Sequence, residues 1–201
     1  VGDDPGQPRR VQHPLFQIED PGAVLLRQQA PLQLVRQARH DAGQDGQLAV
    51  QQGLSAEQTG PYENAFSAGY RESFSPAESL DDIRTIQTLD EQGETAMRMG
   101  LQPDNTIAPY WLKMYFNGAS PSLSKTLPII ENLGLSVYAE VPYRIRRSGG
   151  DVVGLSHFSL SLPEGLSAEF IDQENTRNNI LALLDAVWQG RVENDRFNAL
   201  V

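Results

Sequence analysis

The sequence predicts an α+β fold, in which helices cover one face of an antiparallel sheet and a helical segment precedes that sheet. Two observations lead to this prediction. Residues 62–91 carry apolar side chains at helical spacing. Residues 107–189 then read in the order strand, helix, strand, strand, helix. This order is most of a ferredoxin-like unit, although a fourth strand is not evident from the pattern.

Residues 1–60 are expected to form a peripheral arm that is partly irregular. They are rich in Gln, Gly and Pro, a composition that buries little apolar surface. Only the short amphipathic stretch at residues 23–38 has a pattern compatible with a helix.

Residues 61–100 are expected to form the helical segment. Aromatic side chains recur there every four residues and so share one helical face, which should be buried: Tyr62, Phe66 and Tyr70. A capping box opens at Ser75, with Glu78 three residues later, and it predicts a helix over residues 76–91.

Residues 101–189 are expected to form the sheet and the helices that cover it. The pattern indicates strands over residues 107–116, 135–141 and 158–162 and helices over residues 120–133 and 180–188. Pro128 falls within the first of these helices, so that helix either has an irregular first turn or begins near Ser124. Alternation in the second strand predicts one apolar face, formed by Leu135, Val137, Ala139 and Val141.

Composition limits the classes of protein that this chain represents. Its formal net charge of −10 repels a phosphate backbone, so we expect no nucleic-acid partner. Its apolar stretches are far shorter than the roughly 20 residues that span a bilayer, so we expect no membrane partner. The chain has no cysteine, which fits a reducing compartment and makes the cytoplasm the expected location.

The sequence nominates no catalytic, cofactor-binding or metal-binding residue. Lys125 and Thr126 resemble the end of a phosphate-binding loop, but Ser124 stands where that loop needs glycine. The adjacent Asp81 and Asp82 would point in different directions on a helix, so we do not expect them to act as a catalytic pair. Three histidines are too scattered for a metal site: His13, His40 and His157. The charges of residues 94–98 are expected to form exposed ion pairs.

Four aromatic residues lie in the first predicted strand, two on each face: Tyr110, Trp111, Tyr115 and Phe116. We expect one pair to belong to the core and the other to meet a neighbouring domain. The alternative is a platform on which a ligand stacks.

Three stretches of the chain together resemble a known family. They lie at residues 62–83, 123–143 and 187–201, and the best of them reads LPIIENLGL at residues 127–135, followed by Val141-Pro142-Tyr143. This piece is similar to the LPxLENLGL…RPY signature of the non-catalytic region of the large bacterial NAD-specific glutamate dehydrogenases. Val141 departs from it, because the family has a charged residue there.

The resemblance implies a fold and partners for this chain. Residues 101–189 would be an ACT-like domain, and residues 190–201 would begin a linker toward a catalytic domain of the same parent chain. NAD would bind in the parent enzyme, with no cofactor in this fragment. A homo-oligomer and an amino-acid effector are the other partners that the resemblance implies.

The resemblance also implies a candidate effector site. ACT domains commonly bind small molecules beside the loop after their first strand, which here comprises Asn117, Gly118, Ala119 and Ser120. We call these four residues the predicted effector loop. The alternative is a tight turn in which Gly118 is needed only for its backbone dihedral angles.

Two main functions remain open at this point. The first is a regulatory or oligomerisation module of a large NAD-dependent glutamate dehydrogenase, which oxidatively deaminates L-glutamate to 2-oxoglutarate and ammonia. The second is an independent ACT-like sensor that binds an amino acid. A small enzyme whose site escapes motif analysis is a third hypothesis, with no convergent nucleophile, base or metal ligands in the sequence to support it.

Overall fold

The computed structural model describes residues 53–93, 95–102, 104–163 and 173–199. The expected arm up to residue 52, with its stretch at 23–38, lies outside the described residues. The helices are α1 (Ala56–Thr59), α2 (Ala68–Ser73), α3 (Pro76–Gln92), α4 (Leu123–Asn132) and α5 (Glu174–Trp188), with short 3₁₀ turns at Gly60–Tyr62 and Arg196–Asn198. The strands are β1 (Thr95–Leu101), β2 (Tyr110–Asn117), β3 (Ser136–Arg146) and β4 (Val152–Ser161). None of the described helices is long and apolar enough to cross a membrane.

The four strands form one antiparallel sheet in the order β1-β2-β4-β3. This sheet confirms the predicted α+β class. From β2 to α5 the elements follow the expected order strand, helix, strand, strand, helix. The fourth strand, which the sequence analysis does not find, is β1. It precedes the other three in the chain and pairs with β2 at one edge of the sheet.

The prediction that residues 61–100 are helical is therefore wrong for their last part, which belongs to the sheet. Strand β1 reads TAMRMGL, with a single β-branched residue and a glycine, so strand propensity does not reveal it. Gly100 has a packing role there, because a Cβ at this position would lie 2.4 Å from the indole ring of Trp111. The same indole donates a hydrogen bond to the Leu101 carbonyl oxygen. The glycine therefore marks a close contact within a strand rather than a loop.

Helices α4 and α5 cover one face of the sheet, as predicted. Helix α4 begins at Leu123, which agrees with the later of the two predicted starts, and Pro128 lies inside it. The core on this face includes Leu112, Met114, Phe116, Ile130, Leu133, Phe158, Leu160, Ile180 and Leu184.

The helical segment packs against the opposite face of the sheet. Helix α3 carries the predicted capping box, in which Ser75 and Glu78 exchange side-chain and backbone hydrogen bonds. The core on this face includes Tyr62, Tyr70, Ile83, Ile86, Leu89, Tyr115, Ile145, Val153 and Leu155. Tyr115 and Phe116, from the two aromatic pairs of β2, are therefore buried in different cores, which confirms the packing interpretation of that cluster.

The aromatic residues before α3 share a buried surface without forming one helix. Tyr62 lies in a 3₁₀ turn and Tyr70 in α2, because Ser67 caps a new helix by accepting a hydrogen bond from the Tyr70 backbone. The rings still stack in series, with centroids 6.3 Å apart for Tyr62 and Phe66 and 4.5 Å apart for Phe66 and Tyr70.

The single apolar face predicted for β3 is wrong. The register with β4 shifts between Val137 and Ala139, so an irregularity at Tyr138 moves the following residues to the other face. Val137 packs with the core beneath α4 and α5, whereas Ile145 packs with the core beneath α3. Val141 is 43% exposed, since β3 lies at the edge of the sheet.

Candidate functional site

A buried cluster of ionisable side chains joins helix α3 to the sheet. Asp82 is fully buried, and its carboxylate accepts hydrogen bonds from the Lys113 ammonium at 2.7 and 3.0 Å and from the Tyr115 hydroxyl at 2.7 Å. The Tyr70 hydroxyl and the Arg98 guanidinium also donate to it. We call these five residues the Asp82 cluster. An isolated carboxylate would be costly to bury, and these donors offset that cost.

Burial sets the protonation of this cluster. Burial and the nearby Asp82 carboxylate raise the pKa of Tyr70 and of Tyr115 well above the ordinary value, so both hydroxyls stay protonated and act as donors. Burial lowers the pKa of Lys113, and Asp82 opposes that effect. The Lys113 ammonium also lies 3.7 Å from the centroid of the Phe74 ring, a cation–π contact. The lysine is thus held by charge on one side and by an aromatic face on the other.

Arg98 corrects the expectation of exposed ion pairs at residues 94–98. Its guanidinium bridges two neighbouring aspartates, at 3.1 Å from Asp81 and 3.1 Å from Asp82. Asp81 also pairs with Arg84 at 3.0 Å and is 40% exposed. The two aspartates therefore differ in environment: Asp82 is buried in the core, and Asp81 lies at its rim.

His157 lies beside this cluster, on the same face of the sheet. Its ring centroid is 5.2 Å from that of Phe74 and 6.4 Å from that of Trp111. Burial and the charge of Lys113 lower the pKa of His157 to about 4, so the imidazole is neutral at neutral pH. His13 and His40 lie outside the described residues. Within the described ranges, no three His, Asp or Glu side chains gather as a metal site requires.

The predicted effector loop begins at Asn117, the last residue of β2, which is the second strand of the sheet and not the first as the sequence analysis expected. Most of its contacts hold the turn. The Asn117 side chain donates to the Gly93 carbonyl oxygen at 3.0 Å, and the Gly118 N–H donates to the Val152 carbonyl oxygen at 2.8 Å. Gly118 has a φ of 90°, which favours glycine for conformational reasons alone. Ser120 differs, because its Oγ is buried and has no hydrogen-bond partner among the described residues.

The Asp82 cluster escapes the sequence analysis because its members are distant in the chain. Asp82 bonds to residues 12, 16, 31 and 33 positions away. One signal was present: Asp82 lies four residues before Ile86 and seven before Leu89, on the apolar face of the predicted helix. A carboxylate on such a face requires buried donors.

Two models of known families match this chain, and together they cover more than half of it. The glutamate dehydrogenase helical motif 2 model matches residues 56–89, and the glutamate dehydrogenase ACT3 domain model matches residues 94–174. The chain belongs to the glutamate dehydrogenase family. The resemblance found in the sequence is thereby confirmed.

Three curated relatives in this glutamate dehydrogenase family are named NAD-specific glutamate dehydrogenase. The protein from Pseudomonas aeruginosa is 35% identical over 143 residues, and that from Halomonas elongata is 34% identical over 140 residues; each match covers 70% of this chain and 8% of the relative. The protein from Mycobacterium tuberculosis is 29% identical over 144 residues, with 70% and 9% coverage. The chain therefore spans less than a tenth of the length of these relatives.

The glutamate dehydrogenase family models divide the chain where the structure changes from helices to sheet. The helical motif 2 match spans α1, α2 and most of α3, and the ACT3 match starts immediately before β1. Strand β1 thus belongs to the matched ACT3 domain, as its pairing with β2 indicates. The Asp82 cluster lies between the two matched regions, since Tyr70 and Asp82 come from one and the other three residues from the other.

Proposed function

We propose that this chain is a non-catalytic module that supports the assembly of a large NAD-dependent glutamate dehydrogenase. The parent enzyme would convert L-glutamate, NAD and water to 2-oxoglutarate, ammonia and NADH. The names of the three relatives support this reaction for the parent, and the short share of their length that the chain covers supports the role of a module. The module's partners would be the catalytic domain of the same parent chain and further copies of that chain.

The observation that carries the proposal is the closed arrangement of the Asp82 cluster. Lys113 is 2% exposed and Tyr70, Asp82 and Tyr115 are 0% exposed, so a substrate does not reach them without unfolding. Their hydrogen bonds are directed at one another across the boundary between the helical motif and the ACT3 domain. Such a cluster fixes two parts of a scaffold relative to each other, which is what an assembly module needs.

The test is made in the full-length parent enzyme, with Asp82→Ala and its neighbour Asp81→Ala as the matched control. Since Asp82 is buried and Asp81 is at the rim, only Asp82→Ala should lower the melting temperature and the fraction of assembled oligomer in light scattering. The KM values for glutamate and NAD of the remaining oligomer should stay within twofold. An Asp82→Ala enzyme that assembles normally but loses turnover would contradict an assembly role.

Amino-acid sensing at the predicted effector loop is a second candidate, favoured by the buried Ser120 Oγ that has no partner among the described residues. A ligand that binds only the folded chain raises its melting temperature. The screen contains glutamate, the other amino acids, 2-oxoglutarate and NAD, and we expect a shift with at least one of the amino acids. Gly118→Val should abolish that shift, whereas Gly150→Val, which replaces a glycine of equal φ in another turn, should retain it. The absence of any shift would contradict this second candidate.

A further inference from the structure

Asn117 and Gly118 form the only Asn-Gly pair in the sequence. Asparagine followed by glycine is chemically labile, because glycine has no side chain to shield its own N–H and its backbone bends freely toward the asparagine. Every other asparagine is followed by a residue with a side chain, as in Asn64-Ala65. Asn117 is exposed to solvent at the end of β2. The pair is therefore a candidate for spontaneous chemical modification.

The reaction that such a pair undergoes is deamidation through a cyclic imide. The Gly118 nitrogen loses its proton and forms a bond to Cγ of Asn117, and the bond between Cγ and Nδ2 breaks. The leaving amino group takes up a proton and departs as ammonia, so a five-membered succinimide ring remains. Water then opens the ring at either carbonyl group and gives aspartate or isoaspartate. The reaction consumes only water and involves no oxidation or reduction.

Two hydrogen bonds of the folded chain oppose this reaction. The Gly118 N–H, which must lose its proton, donates to the Val152 carbonyl oxygen at 2.8 Å. The Asn117 Nδ2, which must leave, donates to the Gly93 carbonyl oxygen at 3.0 Å. The fold thus protects the attacking nitrogen and restrains the amide that it would attack, although the Asn117 side chain is exposed to water.

This protection exists only in the folded state, because both acceptors are distant in the sequence. Val152 is the first residue of β4, and Gly93 is the C-terminal cap of α3, 24 residues before Asn117. A segment around Asn117 that has separated from β4 and α3 has neither acceptor. Opening of this turn should therefore accelerate deamidation.

The products of deamidation cannot restore the contact with Gly93. A carboxylate has no N–H to donate, and its charge would face a carbonyl oxygen at the C-terminal end of α3, where the helix dipole is negative. Isoaspartate also lengthens the main chain by a methylene group, which displaces Gly118 from Val152. Deamidation therefore weakens the contact between α3 and β2 and adds a negative charge to the predicted effector loop.

We propose that Asn117 is a deamidation site that the fold protects, and that its conversion to aspartate or isoaspartate weakens the contact between α3 and β2. Because the conversion is irreversible, a chain that has once opened at this turn keeps the weaker contact after it refolds. This chemistry belongs to the chain itself and does not depend on a role in glutamate dehydrogenase.

Mass spectrometry of the full 201-residue chain measures the rate of deamidation, in mildly alkaline buffer and in the same buffer with guanidinium chloride. Deamidation replaces an amino group by a hydroxyl group and so raises the mass of the tryptic peptide that contains Asn117. The rate at Asn117 should be at least tenfold higher in guanidinium chloride. Asn64, which is also exposed but precedes alanine, is the internal control and should stay unmodified. A smaller ratio, or no modification in guanidinium chloride, would overturn the proposal.

Gly93→Ala tests the contact that holds the Asn117 side chain. A Cβ at Gly93 has no atom within 4 Å, but the φ of 103° strains alanine and should displace the carbonyl group. Deamidation in buffer should accelerate at least threefold. Gly190→Ala, with a φ of 69° just after α5 and equally open space, is the matched control and should deamidate at the natural rate. A folded Gly93→Ala chain that deamidates at the natural rate would overturn the proposal. If circular dichroism shows that it is unfolded, the comparison of the two solutions decides.

The melting temperature tests the consequence for the contact between α3 and β2. Ion-exchange chromatography separates the deamidated chain by its added negative charge, and this fraction should melt at a lower temperature than the natural chain. Asn117→Asp, which gains the charge without the longer main chain, should also melt at a lower temperature. Asn117→Gln retains the amide but forms a six-membered imide only slowly, so it should not deamidate measurably. A deamidated chain with the natural melting temperature would overturn the proposal.

Discussion

The environment of Asp82 is unusual because one carboxylate receives donors from four side chains on three elements. Tyr70 lies in α2, Arg98 in β1, and Lys113 and Tyr115 in β2. Removing different members should therefore have unequal effects. The carboxylate has several donors, whereas Lys113 has one anion and an aromatic face.

Asp82→Ala should lower the free energy of unfolding more than Lys113→Met. Loss of Asp82 leaves a buried ammonium without an anion, which costs about 3–5 kcal/mol. Loss of Lys113 leaves the carboxylate with Arg98 and two tyrosines, so we expect about 1–2 kcal/mol. Urea denaturation of the two variants measures the difference. Asp81→Ala, at the 40% exposed rim, is the control and should cost less than about 1 kcal/mol. A larger loss in Lys113→Met than in Asp82→Ala would contradict this account.

His157 should make the stability of the chain depend on pH in acid. Its pKa of about 4 in the folded chain lies below the ordinary 6.5, so the unfolded chain binds the proton first. The free energy of unfolding should then fall as the pH decreases from 6.5 to 4, by on the order of 2 kcal/mol. Lys113 adds to this effect, and Asp82 and Glu78 oppose it.

The measurement is urea denaturation at pH 7 and pH 4.5, for the natural chain and for His157→Gln. The substituted chain should lose less stability between the two pH values, because it lacks the group that titrates in this window. Equal losses in the two chains would show that His157 is not the source. The loss of stability at acid pH would then come from the titration of other groups.

At the scale of elements, the sequence predicted most helices and the strands β2, β3 and β4, but it missed strand β1 and predicted the wrong face pattern for β3. Helices α3, α4 and α5 and strands β2 and β4 follow from periodicity, because their buried faces are continuous. Strand β1 has only one of the β-branched residues that signal a strand, and its contacts come from pairing with β2. In β3 apolar and polar residues do alternate, but the register shift after Val137 moves the following apolar residues to the other face of the sheet. The position of β1 and the face pattern of β3 thus depend on the strands with which they pair, and those strands are distant in the sequence.

The Asp82 cluster lay beyond prediction for a related reason. Its members are separated by up to 33 residues. Which side chains reach Asp82 depends on how α3 packs against β2. The turn at the end of β2 was predicted, since Asn117 and Gly118 are local turn signals. Whether it binds a ligand depends on groups around Ser120 that only the fold brings together.

Gly154→Ala tests the close approach of β4 to the predicted effector loop. A Cβ on Gly154 would lie 2.4 Å from the Ser120 backbone nitrogen, a contact that requires the loop to move. We expect a loss of about 1–3 kcal/mol in the free energy of unfolding. The amide NMR signals of residues 117–120 should shift with it.

Gly60→Ala is the matched control for that substitution. A Cβ at Gly60 would have no atom within 4 Å, and its φ of −51° suits alanine. Its stability should stay within about 0.5 kcal/mol of the natural chain. If the two alanine variants are equally stable, the contact between β4 and the loop does not limit substitution at Gly154.

At the scale of the whole described region, the sheet separates two cores. The ACT3 domain supplies α4 and α5 for one face, and the helical motif covers the other. Two backbone hydrogen bonds tie the helical motif to the end of β3 and its turn, from Arg146 to Ala65 and from Ser148 to Pro61. Arg147 adds an ion pair with Asp90 of α3. The two matched regions thus share a core and behave as one structural unit.

This arrangement predicts that the ACT3 domain does not fold cooperatively without the helical motif. A chain that lacks residues 1–93 would expose Tyr115, Ile145 and Leu155, which are fully buried beneath α3, and would leave Lys113 without its carboxylate. Burial of this apolar surface stabilises the sheet at about 25 cal/mol per Å², so its loss should abolish a sharp calorimetric transition and increase binding of a hydrophobic dye. Residues 53–93, added as a separate peptide, should restore the transition, whereas the same peptide with Asp82→Ala should not. A truncated chain that melts as sharply as the full chain would show that the ACT3 domain is independent, and the shared core would then be a contact between two stable domains.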